Sequence, residues 1–152
     1  MKKQIRWKQE KDIVHHTCLS IRKIVKGLIF FEGDFFDPYV FLLDIIESSN
    51  EEVIIIDNYA GKELLKIIKN IDKKIIIVSA NIDNVLKEKY EKEYHNVTFI
   101  HNNSFHDRFI IIDRKKLYLC GISFKDLGKK CFGISEFDNK EYLNIILNEI
   151  EI

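Results

Sequence analysis

Apolar positions along the chain fall into short β-branched runs separated by stretches of helical spacing. Val53-Ile54-Ile55-Ile56 is a continuous apolar run, the pattern of a strand covered on both faces, and it closes on the polar turn Asp57-Asn58-Tyr59. Lys62 to Asn70 then places Leu64, Leu65, Ile67 and Ile68 at helical spacing, Lys74 to Ser79 repeats the buried-strand pattern, and Asn84 to Tyr94 reads as another helix. Further strands are expected at Val97 to Ile100, Phe109 to Ile112, Leu117 to Cys120 and Phe132 to Ser135, with the charged turn Asp113-Arg114-Lys115-Lys116 joining the middle pair.

Helices bracket this core. Ile13, Ile21, Ile24, Val25 and Leu28 predict a helix over 12–27 that Gly27 stops, and Asp37-Pro38 predicts an N-cap followed by Pro at the first helical position, with the helix running to Ser49-Asn50. A short helix is expected at Phe124 to Leu127 and a last one from Asn139 to about Asn148. Helices interleaved with buried strands imply an α/β layered domain with a mixed sheet. Residues 1–28 read as a helical arm or the remnant of a linker, and 29–152 as the domain proper.

Composition narrows the class. The chain has 152 residues, 46% hydrophobic and 32% charged, with one Pro and six Gly, so it holds one ordinary core and no disordered or low-complexity tract. Twenty-four Lys and Arg balance twenty-four Asp and Glu, which excludes a global field for polyanions and leaves only local ones. Cys18, Cys120 and Cys131 are odd in number and form no C-x-x-C pair, and no apolar run approaches membrane-span length; a cytoplasmic protein with free thiols is expected. His15-His16-x-Cys18 lacks a second ligand pair, so no metal is expected there.

One stretch carries the chemistry: His106-Asp107-Arg108-Phe109-Ile110-Ile111-Ile112-Asp113, then Gly121-Ile122-Ser123. On a strand, alternation would direct His106 and Arg108 to one side, placing an imidazole and a guanidinium in a common site. Ser123 is expected to cap the short helix, offering a hydroxyl and free backbone N–H groups to an anion. From His106 to Cys131 the chain carries seven Lys or Arg against three Asp, one basic region in a neutral protein. Phe30, Phe31, Phe35, Phe36 and Tyr39 read as core and interface more than as base-stacking platforms, whereas Tyr59 is placed to line the site.

The string His106-x-Arg108-x4-Asp113 followed by Gly121-x-Ser123 resembles the phospholipase D superfamily motif H-x-K-x4-D with its G-S partner, Arg standing for Lys. The longer string from His106 to Asp113, with Gly121 to Lys130, is similar to a bacterial and phage-associated subgroup in which that Arg is usual. The resemblance spans roughly residues 30–150 and extends to the Asp57-Asn58-Tyr59 turn and to Glu136, where related nucleases carry a carboxylate. It implies a three-layer αβα fold and a metal-independent, cofactor-free phosphodiesterase acting through a phosphohistidine, with a nuclease on DNA or RNA as the leading expectation.

By that resemblance His106 is nucleophile or general acid, Arg108 and Ser123 hold phosphoryl oxygens, Glu136 orients the imidazole, and Asp113 is a supporting carboxylate. One motif per chain implies a homodimer, with two copies of His106 facing across a two-fold axis. Lys125 stands where the family usually has Asn, which favours a polyanion over a lipid headgroup. The alternative is a catalytically silent module of this fold that binds nucleic acid or dimerises. Taken singly, the same residues also fit plainer roles: a surface His before an edge strand, a turn-forming Asp113, and an exposed strand-end carboxylate at Glu136.

Overall fold

The structure is a computed structural model that describes residues 27–151. The β-branched runs become a seven-stranded mixed sheet: β1 (Gly27–Phe30), β2 (Glu52–Ile56), β3 (Lys74–Ser79), β4 (Val97–His101), β5 (Arg108–Ile112), β6 (Lys116–Cys120) and β7 (Phe132–Glu136), ordered β1-β7-β6-β5-β2-β3-β4. The interleaved helices α1 (Phe36–Glu47), α2 (Lys62–Ile68) and α3 (Asn84–Glu93) make parallel crossovers possible, so β2, β3 and β4 run parallel. From β5 onward the connections are short, and β5, β6, β7 and β1 are antiparallel.

Alternation along the strands separates two cores. Val53 and Ile55 of β2, with Ile75 and Ile77 of β3 and Ile110 and Ile112 of β5, pack with Leu42 and Ile46 of α1, Leu64 and Ile68 of α2, and Tyr90 of α3. Ile54, Ile56, Ile76, Val78 and Ile111 face the other way, onto Leu143 and Ile150 of α4 (Lys140–Ile150). That is the expected three-layer arrangement, with three helices on one face and α4 on the other. All five residues of β2 are buried, as the unbroken Val-Ile run requires.

Three expectations change. The helix over 12–27 lies outside the described residues up to position 26, while Gly27 and Leu28 stand in β1, paired with Ser135 and Ile134. Helix α1 starts at Phe36, one residue before the Asp expected to cap it; Phe35 occupies the cap position without a side-chain bond. Pro38 is tolerated because first-turn N–H groups have no intrahelical acceptor to lose. The residues after Ser123 form a three-residue 3-10 turn, Phe124–Asp126, which Gly128 leaves at φ 82°.

Candidate functional site

The sheet brings the C-terminal ends of β2 and β6 beside the N-terminal end of β5. Asp57 follows the last residue of β2, Arg108 opens β5, and Ser123 lies three residues past the end of β6. They meet around the Asp57 carboxylate, which is fully buried. Its Oδ2 accepts from the Ser123 hydroxyl at 2.8 Å and from the Phe124 N–H at 3.2 Å, and its Oδ1 accepts from the Tyr59 N–H at 2.9 Å. Arg108 Nε stands 3.7 Å from Oδ1, a charge pair beyond hydrogen-bonding distance.

Sequence reasoning named the Asp57-Asn58-Tyr59 turn but gave this carboxylate no role. It anticipated that the Ser123 hydroxyl and the following N–H groups would be open to an external anion, but the chain's own Asp57 takes the hydroxyl and the Phe124 N–H. Ser123 is therefore buried and braces β2 to β6. The available signal was a lone Asp directly after an all-apolar strand, where a carboxylate must find donors or be displaced to solvent.

Tyr59, half exposed, carries two cations. Lys125 Nζ lies 4.4 Å and Arg108 Cζ 5.9 Å from its ring centroid. A pair of positive groups thus stands at the end of the central strands beside one aromatic ring and one buried carboxylate. The planar guanidinium stands between a buried countercharge and a ring face, a setting that suits recognition of an anion.

His106 is exposed and sits in a bend two residues before β5. Strand alternation does not govern it, because pairing with β2 stops at Phe109 opposite Ile56 and the ladder with β6 begins at Arg108 opposite Cys120. The bend is anchored by Asn58, whose side-chain N–H donates to the Phe105 carbonyl. Asn58 and Asp57 thereby hold the two sides of the loop that presents His106.

Asp113 and Glu136 are placed elsewhere. Asp113 lies five residues from Arg108 along an extended chain, about 16 Å away. Its carboxylate accepts the N–H groups of Asn50, Glu51 and Glu52 at 2.9, 2.8 and 3.0 Å, and these bonds lower its pKa to about 2. Asp113 and Arg114 both take left-handed φ angles, 51° and 52°, in the turn they build.

Glu136 ends β7 opposite Tyr118. Ile134, not Glu136, is level with Arg108 through Cys120, so two strand spacings and two residues separate Glu136 from Arg108, about 12 Å. It lines a small recess with Lys115, Lys116 and Lys140 at the far edge.

The basic region is divided in the same way. Arg114, Lys115 and Lys116 sit in and beside the hairpin turn at the far end of β5 and β6, where Arg114 and Lys74 flank Glu52. Burial opposes the Glu52 charge, but hydrogen bonds from those two cations outweigh it and lower its pKa. Arg108, Lys125, Lys129 and Lys130 remain on the site's edge, Lys129 paired with Asp126 at 3.2 Å. Among the described residues no three His, Cys, Asp or Glu side chains converge as a metal cluster, and no helix is long and apolar enough to cross a membrane.

No family model matches the sequence, and no curated protein matches it. Solved structures do match its fold. NucT from Helicobacter pylori superposes with a TM-score of 0.60 at 16% identity, over 83% of this chain and 93% of that one. Nuc from Salmonella typhimurium, described as a phospholipase D family member, gives 0.58 at 15% identity, over 82% and 91%. TrmBL2, an archaeal chromatin protein whose structure is described as showing a novel mode of DNA binding, gives 0.50 at 12% identity, over 99% of this chain and 60% of that one.

Proposed function

We propose, from a chain with the phospholipase D-like fold, that the protein is a metal-independent phosphodiesterase acting on nucleic acid, with a site completed by a second copy. The observation that carries this reading is an exposed His106 in the bend two residues before Arg108, where Arg108 stands beside the Asp57 carboxylate and shares the Tyr59 ring with Lys125. An imidazole nitrogen of His106 attacks phosphorus. The P–N bond forms as the P–O bond breaks, and the departing oxygen takes a proton from His106 of the partner subunit.

Water, deprotonated by that second imidazole, then attacks phosphorus and releases His106. Arg108 faces the phosphoryl oxygens and stabilises the charge that builds on them, while Lys125 draws in the neighbouring phosphate. Ser123 acts from behind, by fixing the Asp57 carboxylate that fixes Arg108. Asp113 supports the site indirectly, holding the far end of β5.

A second reading has its own observation. Because the Ser123 hydroxyl and the Phe124 N–H are already bonded to Asp57, the site has fewer donors for a transition-state oxyanion, and a binding module without turnover would need no more. One experiment separates the two. Plasmid or single-stranded substrate is incubated with the protein in EDTA, alongside His106→Ala. Since His106 is exposed, that variant folds normally, and the enzyme reading expects its cleavage to fall by more than about 10²-fold, the low end of what a positioned acid, base or nucleophile contributes. Equal cleavage by both proteins refutes it, and binding that survives in His106→Ala without any turnover in the parent establishes the second reading.

A further inference from the structure

The aromatic residues around the end of β1 are expected in the core or at an interface, and the structure buries Phe30 but leaves Phe31, Phe35, Phe36 and Tyr39 exposed. Phe36 is 70% and Phe35 63% exposed, and Tyr39, one turn further along α1 on the face of Phe36, is more than one-third exposed. Large rings at this exposure are unfavourable unless something covers them or uses them.

Their position is tied to the site. The Gly33 N–H donates to the Gly128 carbonyl at 2.8 Å, and the Phe35 ring lies so close to Gly128 that a Cβ there would run into it. Gly128 belongs to the loop that carries Lys125, Lys129 and Lys130, all exposed, and only three residues, at most about 11 Å of chain, separate it from Lys125. At the other end of that span Lys125 reaches the half-exposed ring of Tyr59 beside Arg108. One loop therefore joins two groups of rings and cations: Phe35, next to Phe36, lies against Gly128 beside Lys129 and Lys130, and Lys125 of the same loop lies over Tyr59 with Arg108.

We propose that this surface is a binding track for single-stranded nucleic acid, with phosphates on the lysines and unpaired bases stacked on Phe36 and Tyr59. The charge specifies a polyanion, and the rings select the form of it. A duplex hides its base faces and meets only the cations, whereas a single strand offers both phosphates and flat π surfaces. The track deepens the functional reading above and rests on it, because the strand it holds runs to Arg108 and the bend that presents His106.

The test is fluorescence anisotropy on the full chain with labelled single strands of about 16 nucleotides, DNA and RNA of one sequence, and a blunt DNA duplex of the same length. Phe36→Ala is expected to weaken both single strands by roughly 5- to 150-fold, the range that loss of one base stack gives, and the duplex by less than about 2-fold. Phe36→Trp restores the single-strand affinity. Lys130→Gln weakens single strand and duplex together and lowers the salt dependence of both.

Equal effects of Phe36→Ala on single strand and duplex, or no effect on either, overturn the track and leave the functional reading standing. A lowered unfolding midpoint or an altered solution mass for Phe36→Ala also overturns it, because the ring then packs on this chain or on a second copy. If the parent protein binds neither single strand nor duplex, both proposals fall.

Discussion

Asp57→Asn probes the centre of the site, and the size of its effect follows from the four groups around one carboxylate. Asn keeps the shape and one oxygen but replaces the other with an NH2. With its oxygen toward the Tyr59 N–H, the amide faces Ser123, whose hydroxyl rotates to accept, and faces the Phe124 N–H, which cannot. One buried donor is left without an acceptor, a loss of about 1–3 kcal/mol.

Arg108, whose side chain is only one-quarter exposed, also loses its countercharge. The Nε–Oδ1 separation of 3.7 Å and partial solvent access keep that contribution below the roughly 3–5 kcal/mol of a fully buried broken pair, so we take about 1–2 kcal/mol. Together these amount to roughly 2–5 kcal/mol, a large share of the total stability of a domain this size. In guanidinium denaturation, with a slope of about 4 kcal/mol/M, the midpoint falls by roughly 0.5–1.2 M. Asp126→Asn, which disturbs only an exposed pair with Lys129, serves as the control and shifts it little. A midpoint for Asp57→Asn within about 0.1 M of the parent, less than 0.5 kcal/mol at that slope, would refute the claim that this carboxylate organises the site.

Two further predictions concern titrating groups. Asp113 has its folded pKa lowered from the ordinary 3.8 to about 2 by three backbone N–H groups, so its stabilising contribution is complete above about pH 4 and disappears as the pH falls toward 2. Asp113→Asn should therefore be less stable than the parent at neutral pH, with the gap narrowing across that window in a pH series of denaturation midpoints; a constant gap would contradict it. Burial pushes the Cys120 thiol up to about 11, and its Sγ lies 3.2 Å from the Ile122 carbonyl, whereas Cys131 is exposed. Peptide mapping after iodoacetamide treatment near neutral pH should find Cys131 alkylated and Cys120 intact until the protein is unfolded.

Much of the architecture was legible because burial imposes a period on the chain. The all-apolar Val53 to Ile56 run marks a strand covered on both faces, and the spacing in Lys62 to Asn70 marks a helix laid against it. Strand β1 escaped because Gly27–Phe30 is four residues long and its pairing partner β7 lies about a hundred residues away, so nothing local distinguishes it from the end of a helix. The motif residues His106, Arg108 and Ser123 were legible as a string, and the structure gathers Arg108 and Ser123 at one end of the sheet, with His106 in the bend that leads into it.

Tertiary structure alone decided which charges work together. Sequence adjacency grouped seven cations from Arg108 to Lys130, but an extended hairpin sends Arg114, Lys115 and Lys116 to one end of the sheet and leaves Arg108, Lys125, Lys129 and Lys130 at the other. It likewise brought Asp57 to Ser123 across 66 positions of sequence and left Phe36 in solvent, where its residue type fitted core and interface alike. The physical reason is common to all three. Periodicity encodes which face of an element is buried, whereas the end of a strand at which a side chain arrives depends on strand direction and register, and those are settled only by pairing between distant segments.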